Sequence, residues 1–260
     1  MENSSYNWQV GEHVGWFYEN EQDHARILNA FITNGLQQNQ RCIYLGNSEN
    51  GSELLTALKD SLPGLQEYSL RGQITVLAQQ SLLNQGKLQL EAVLQAIHKQ
   101  ETLTYLDGYA ALRLVVDIGA LLQTTPNLDA LLDFVSHLDE TLPTSRLILL
   151  FQYSRKQIPA SAMLRFMALS PIVMDGTQVY QNLFYQPPRV RSAADPAQAQ
   201  LDNWMNSLRM AESTRLALSQ SRAELQNRVQ ERTRALRNTN QHLIEQINRR
   251  IHTEQELLAS

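Results

Sequence analysis

The chain has 260 residues, a formal net charge of −4 and a hydrophobic fraction of 43%. It is long enough to bury a sizeable core and to carry an appended segment. The charge balance gives no general reason to expect nucleic-acid binding. Cys42 is the single cysteine, which excludes an internal disulfide and favours a reducing compartment, so we expect a cytoplasmic protein. We see neither a signal peptide nor an apolar run that could span a bilayer, and we expect no membrane insertion.

The stretch from His13 to Leu55 predicts the architecture. Residues 13–18 are aromatic and β-branched, as in a buried strand. An acidic turn follows, and then apolar residues recur at helical spacing up to Leu36. Residues 41–45 form the next predicted strand, and a second helix begins near Ser52. This strand–helix–strand–helix order predicts a parallel sheet with helices on its faces.

The first strand-to-helix turn lacks the usual means of holding a phosphate. Phosphate-binding α/β domains place a glycine-rich loop and a lysine there. Here the turn carries Glu19, Glu21 and Asp23, with no Gly and no Lys. Three carboxylates repel a triphosphate, so the turn predicts a nucleotide-binding architecture without that phosphate grip.

The remaining segments continue the alternation. We predict strands at 73–77, 112–117 and 146–153, and a closing strand or hairpin within 171–185, where Asp175-Gly176 is a turn signal. Helices are predicted at about 87–99, at 126–142 and from Pro159, and 103–109 is predicted as a loop. The run at 112–117 is mostly apolar and ends in Asp117, which is typical of a central parallel strand.

The end of the chain has a different pattern. After Pro196 the sequence contains neither Gly nor Pro, and residues 205–260 hold nine Arg and six Glu, a net charge of +3. Apolar residues recur at intervals of four and seven: Leu218, Leu225, Val229, Leu236, Leu243, Ile247, Ile251 and Leu258. This predicts a long helix with a narrow apolar stripe that pairs in a homodimeric coiled coil. The steps of four after Leu243 indicate a stutter in the heptads.

Several short motifs, in order, resemble the MEDS family, the methanogen/methylotroph sensory domain. They are Gly11-Glu-His13, Phe17-Tyr-Glu-Asn20, Arg41-Cys-Ile-Tyr44, Val115-Val-Asp117, Gln152-Tyr153 and Tyr185-Gln-Pro-Pro188. The resemblance implies a RecA/KaiC-like core that has lost its Walker A loop and senses a small molecule, proposed for the family to be a hydrocarbon derivative. Asp117 stands where a Walker B carboxylate would lie. The expected fold is a RecA-like, three-layer, mostly parallel α/β domain followed by a coiled-coil helix.

The tail carries a second resemblance, through residues 231–236, Asn240, 244–250 and 254–258. These residues look like the signalling helix that precedes PAS or kinase modules in bacterial sensor histidine kinases. We therefore expect a sensory domain over 1–190, a linker over 191–200 and a dimeric signalling helix over 201–260. The implied role is the input part of a histidine kinase in a two-component system, with PAS or kinase modules as downstream partners.

The candidate ligand contacts lie mainly where predicted strands end. They are His13, Tyr18, Glu19, Asn20, Cys42, Tyr44, Asp117, Gln152 and Tyr153. In open α/β sheets, ligands bind at the carboxyl ends of the strands, so most of these side chains should meet in one crevice. No catalytic residue and no metal site are predicted, because His13, His24 and Cys42 lack the tight spacing of zinc ligands.

Each candidate also has a purely structural interpretation. His13 could be satisfied by the backbone, and Cys42 could be a small buried residue. Glu19 and Asn20 could only cap a helix, the tyrosines could be core residues, and Asp117 could pair with Arg113 or Arg155.

Two other functions stay open. A divergent ATPase could use Asp117 with a non-standard phosphate grip, and a dimerisation module could dock a protein through its RecA-like domain. We expect no enzymatic activity in this chain, and the ligand and any cofactor are not identified by the sequence.

Overall fold

A computed structural model describes residues 8–84, 87–125, 127–141 and 145–258. The strands are β1 (His13–Tyr18), β2 (Arg41–Gly46), β3 (Ile74–Ala78), β4 (Leu83–Asn84), β5 (Lys87–Leu88), β6 (Leu112–Asp117), β7 (Leu147–Ser154), β8 (Ile172–Asp175) and β9 (Gln178–Gln181). The helices are α1 (Glu21–Gln37), α2 (Ser48–Ser61), α3 (Leu65–Leu70), α4 (Leu90–Leu106), α5 (Ile118–Thr124), α6 (Leu128–Thr141), α7 (Ala160–Met167), α8 (Pro188–Arg191) and α9 (Pro196–Leu258). The chain divides into two compact units, Met1–Trp204 and Met205–Ser260.

The first unit is built on a seven-stranded sheet in the order β3-β2-β6-β7-β1-β8-β9. Only the edge strand β9 is antiparallel; it closes a hairpin with β8 through the predicted Asp175-Gly176 turn. β1 lies between β7 and β8, with Gly15 opposite Phe151 and Val173. The prediction of a mostly parallel α/β domain is confirmed.

Side-chain alternation along the strands builds one core on each face of the sheet. In β6, Leu112, Leu114 and Val116 pack with α4, α5, α6 and α7, on what we call the α6 face. The intervening residues Arg113, Val115 and Asp117 point to the opposite α1 face, where apolar residues of α1, α2 and α3 form the second core. The strands read as continuous apolar runs because both faces are covered.

Arg113 is fully buried on the α1 face. Its guanidinium donates to the Gln40 side chain, to the Phe31 carbonyl (2.8 Å) and to Asn34 Oδ1 (2.7 Å). Burial lowers the pKa of Arg113 to about 10. The predicted alternative in which Arg113 pairs with Asp117 is therefore wrong: the arginine fastens α1 to the sheet.

Two helix boundaries differ from the sequence prediction. α2 begins at Ser48 instead of near Ser52, because Asn47 caps it by accepting from the Asn50 backbone N–H (2.7 Å). α4 extends into the predicted loop at 103–109 and ends at Leu106. The residue that stops it is Gly108, whose φ of 77° suits the left-handed position after a helix.

α9 is a 63-residue helix from Pro196 to Leu258, so the helix starts five residues before the predicted 201. In the second unit, the described side chains of the predicted apolar stripe are exposed: Leu218, Leu225, Val229, Leu236, Leu243, Ile247 and Ile251. Among the described residues, no helix combines the length and apolar character needed to cross a membrane.

Candidate functional site

A chain of hydrogen bonds connects several side chains on the α1 face at the carboxyl end of the sheet. Tyr44 Oη donates to Asp117 Oδ2 (3.0 Å), and Asn50 Nδ2 donates to the same oxygen (3.0 Å). Gln152 Nε2 donates to Tyr44 Oη (3.3 Å), and Gln152 Oε1 lies 3.1 Å from His24 Nε2. The structure thus brings together the predicted residues Tyr44, Asp117 and Gln152.

The directions of these bonds follow from their donors. The Gln152 amide nitrogen is used on Tyr44, so Gln152 Oε1 must accept, and His24 carries its proton on Nε2. The other Asp117 oxygen, Oδ1, accepts from the Ala120 backbone N–H (3.0 Å) and caps α5. Asp117 is 4% exposed and its carboxylate accepts three hydrogen bonds. This carboxylate is satisfied by the protein itself.

Aromatic rings cover this chain of hydrogen bonds. The imidazole of His24 stacks on Tyr18, with 4.1 Å between centroids, and lies 5.1 Å from Trp16. Burial, followed by the charge of Asp117, raises the pKa of both Tyr18 and Tyr44 well above the ordinary value, so both phenols stay protonated. These tyrosines act as neutral packing and hydrogen-bonding groups.

The first strand-to-helix turn is capped from within. Asn20 Oδ1 accepts from the backbone N–H groups of Gln22 (2.8 Å) and Asp23 (3.4 Å). Glu19 and Asn20 are exposed. The positive end of α1 is therefore already occupied by a side-chain oxygen and surrounded by acids, as the sequence indicated.

Tyr153 lies on the other face of the sheet, away from Tyr44 and Asp117. It stacks on Phe17 (4.8 Å between centroids) and contacts Phe166 of α7 (5.1 Å). The prediction that Tyr153 shares one crevice with Gln152 is wrong, because adjacent residues of a strand point to opposite faces.

A groove of about 330 Å³ lies beside this aromatic stack. It is bounded by β1, β8 and α7, and its lining residues are Phe17, Arg155, Ala160, Met163, Leu164, Met167, Val173 and Asp175. Arg155 and Asp175 form an exposed ion pair at 3.4 Å, so Arg155 does not pair with Asp117 either. We call this feature the α7 groove. Its lining is apolar apart from that pair, and its volume lies within the range of small-molecule sites.

His13 and Cys42 are separated from both features. His13 is the first residue of β1 and Cys42 the second of β2, so they lie at the amino ends of parallel strands. His13 Nδ1 lies 3.2 Å from Asp139 and its Nε2 lies 3.1 Å from Ser170. Cys42 is buried against the carbonyls of Ile32 and Gln40. Both residues therefore lie at the opposite ends of their strands from the polar chain and the α7 groove, and their contact with a ligand stays a prediction.

In the part of the chain that the structure describes, no three His, Cys, Asp or Glu side chains lie close enough to hold a metal ion. The sequence prediction contained no metal site. Asp117 lies beside Tyr44 and Asn50, which are neutral. The polar chain is therefore built for internal hydrogen bonding.

Several site residues were missed from the sequence. His24 lies in the first turn of α1. The periodicity of the sequence places it on an amphipathic helix and gives no sign of a hydrogen bond to the sheet. Asn50 was missed because α2 begins earlier than predicted. Met163 and Met167 belong to the helix predicted from Pro159, and no ligand role was predicted for them; in the structure they are half-buried and line the groove.

The order and direction of the strands define a RecA-like α/β domain, and its first strand-to-helix turn, at residues 19–23, carries neither Gly nor Lys. The family model for MEDS, the MEthanogen/methylotroph, DcmR Sensory domain, matches residues 12–171. The chain belongs to this family.

A solved structure shares the fold. It is the flagellar accessory protein FlaH from Methanocaldococcus jannaschii, with a TM-score of 0.50, 13% identity, and coverage of 68% of this chain and 78% of that one. At this identity the likeness shows the RecA-like fold alone. Among curated proteins, none matches the chain.

Proposed function

We propose that this chain is a small-molecule sensory module that binds a compact apolar compound in the α7 groove. The observation that carries the proposal is the groove itself, at the edge of the sheet where open α/β domains bind ligands. Membership of a sensory family supports the signalling role.

The chemistry of the groove favours an apolar ligand. Phe17 and Val173 supply a buried floor, while Met163 and Met167 supply walls that adapt their shape readily. Burying about 200 Å² of apolar ligand surface at ~25 cal/mol per Å² contributes roughly 5 kcal/mol. That corresponds to a Kd on the order of 0.1–1 mM, a suitable range for a compound present at metabolic concentrations.

The same observations argue against a nucleotide. A Walker-type site needs a phosphate-binding loop with a lysine, and a carboxylate free to bind Mg²⁺ directly or through water. Here Asn20 caps α1 beside three acids, and Asp117 accepts from Tyr44, Asn50 and the α5 backbone. An ATPase therefore remains only the second candidate; it predicts Mg²⁺-dependent ATP binding that is lost in Asp117→Ala.

The output runs through α9 in this proposal. Its apolar stripe is exposed in a single chain, and a stripe of this kind is stabilised by a second helix in a coiled coil. The helix then relays ligand binding to PAS or kinase modules, with this chain acting as the input part of a sensor histidine kinase. A ligand shifts such a system only if it binds the two states with different affinity.

Equilibrium dialysis against radiolabelled 1-octanol tests the binding site. We expect saturable binding of one molecule per chain to the wild-type protein, with a Kd on the order of 0.1–1 mM. Leu164 lines the groove and its side chain is 69% exposed, so Leu164→Glu places a charge at the groove without disturbing the core. We expect this variant to bind at least about tenfold more weakly.

The matched control is Leu70→Glu, which makes the same change at an 88% exposed leucine of α3. It should bind 1-octanol as the wild type does. Equal weakening in both variants, or no saturable binding to the wild type, contradicts the proposed groove. Binding of Mg²⁺-ATP in place of 1-octanol would favour the ATPase.

A further inference from the structure

A buried carboxylate at the amino ends of the parallel strands, the end opposite to the α7 groove, joins β1 to the segment that precedes α9. Asp139 of α6 is 5% exposed. Its Oδ1 lies 3.2 Å from His13 Nδ1, and Tyr185 Oη lies within 3.1 Å of both oxygens. Both terminal nitrogens of Arg191 donate to Oδ2 at 3.2 Å.

The protonation of this cluster follows from burial. Burial lowers the pKa of His13, so its imidazole is neutral near pH 7. The Nδ1–H then donates to Asp139, and Nε2 accepts from the Ser170 hydroxyl. The carboxylate of Asp139 thus pairs with the guanidinium of Arg191, and the Arg191 side chain is 17% exposed. A buried pair of this kind is costly to break one partner at a time.

The cluster continues to the first turns of α9. Arg191 Nη1 donates to the Gln186 carbonyl (2.5 Å), and the Gln186 N–H donates to the Ala168 carbonyl after α7 (2.8 Å). Asn203 Nδ2 of α9 donates to the Tyr185 carbonyl (2.9 Å). The chain around Tyr185 is therefore tied to Asp139 through side chains and to α9 through its backbone.

β1 connects this cluster with the α7 groove. His13 begins the strand and Phe17, four residues later, lines the groove. Four residues of strand span about 13 Å. β1 is hydrogen-bonded to β7 on one side and to β8 on the other, so a continuous, paired strand joins the two sites.

We propose that His13, Asp139, Tyr185 and Arg191 form a latch that couples occupancy of the α7 groove to the segment 182–204 at the start of α9. This inference rests on the proposed function, and it assigns Asp139 the role of positioning Tyr185 and Arg191. Occupancy of the groove shifts Phe17, β1 carries the shift to His13, and Asp139 passes it to Tyr185 and Arg191. This coupling requires a second arrangement of the latch that the ligand binds with a different affinity.

Hydrogen exchange of the full chain tests the latch without any added ligand. Ala160→Leu puts a larger side chain into the groove in place of a ligand. We expect it to change the exchange rates of amides within 182–204 by about threefold or more. Asp139→Asn should raise those rates by at least about tenfold on its own, and it should abolish the response to Ala160→Leu.

The matched control is Glu140→Gln, the same chemical change on the next residue of α6, where the carboxyl is exposed and lies 3.8 Å from Arg191. The Ala160→Leu response must survive in that background. If Asp139→Asn does not fold, Tyr185→Phe keeps the carboxylate and its pair with Arg191 and should at least halve the response.

Three results overturn the latch: no response to Ala160→Leu in the wild type, a full response in Asp139→Asn or Tyr185→Phe, or unchanged exchange at 182–204 in Asp139→Asn. A merely structural Asp139 raises exchange but leaves the response to Ala160→Leu intact. Binding of 1-octanol is measured in a separate experiment. Absence of the latch alters only the exchange result, whereas absence of the ligand site removes 1-octanol binding.

Discussion

At the residue scale, Cys42 shows how burial makes a thiol unreactive. The thiol is the chain's single cysteine and is completely buried. Burial raises the pKa of Cys42 to about 12 from an ordinary value of 9.0. Because the thiolate is the reactive form, a thiol held protonated in this way is inert. We therefore expect Cys42 to act as a small packing residue of the core.

The native thiol should react with Ellman's reagent at pH 8 about a thousandfold more slowly than the unfolded chain does. The raised pKa also makes stability depend on pH. The folded state keeps the proton, whereas the unfolded state releases it above pH 9, so this group's contribution to stability is present below pH 9 and is lost progressively above it. Rapid labelling in native buffer, at the rate seen in urea, would show that Cys42 is accessible.

Polar side chains were the least predictable part of the site at this scale. Asp117 could be singled out because a carboxylate after an apolar strand needs a partner, but its partners Tyr44 and Asn50 come from other elements. From the sequence, Arg113 and Arg155 were candidate partners of Asp117 only because of their positive charge. Arg113 is instead satisfied by neutral oxygens of α1 and Gln40, which no charge pattern reveals.

Secondary-structure elements were predictable where their period is regular. The apolar strands β1, β2, β6 and β7 were found because both faces of the sheet are covered, which produces continuous apolar runs. Helix ends were harder, since Asn47 and Gly108 act through local capping geometry. Side chains alternate between the two faces of a strand. The prediction ignored this alternation for Gln152 and Tyr153, and so placed the polar chain and the aromatic stack beside the α7 groove in one crevice.

The stripe on α9 carries a prediction at the scale of an element. Replacing Leu236 and Leu243 together with lysine puts two charges on the seam and should convert a dimer into a monomer in sedimentation equilibrium. The domain itself should remain folded, because the altered residues lie in the second unit. Asn238→Lys with Gln241→Lys is the control, since both exposed positions lie on the helix face opposite Leu236 and Leu243. A wild-type monomer, or a dimer that survives the leucine changes, would contradict the coiled coil.

At the scale of the whole molecule, the domain has the RecA-like architecture, and the carboxylate at the end of β6 is satisfied by internal hydrogen bonds. The α7 groove lies on one face of the sheet and the satisfied polar chain on the other, with β1 between them. The fold class followed from the order of strands and helices. The groove did not, because it is formed by packing α7 against β1 and β8, residues distant in sequence.

The most direct measurement is a 1-octanol titration of the protein labelled with ¹³C at the methionine methyl groups. Met163 and Met167 line the groove, whereas Met174 is fully buried on the opposite face. We predict that the methyl signals of Met163 and Met167 shift saturably while that of Met174 stays in place. Shifts confined to Met174, or no saturable shift at Met163 and Met167, would contradict a sensory ligand site in the α7 groove.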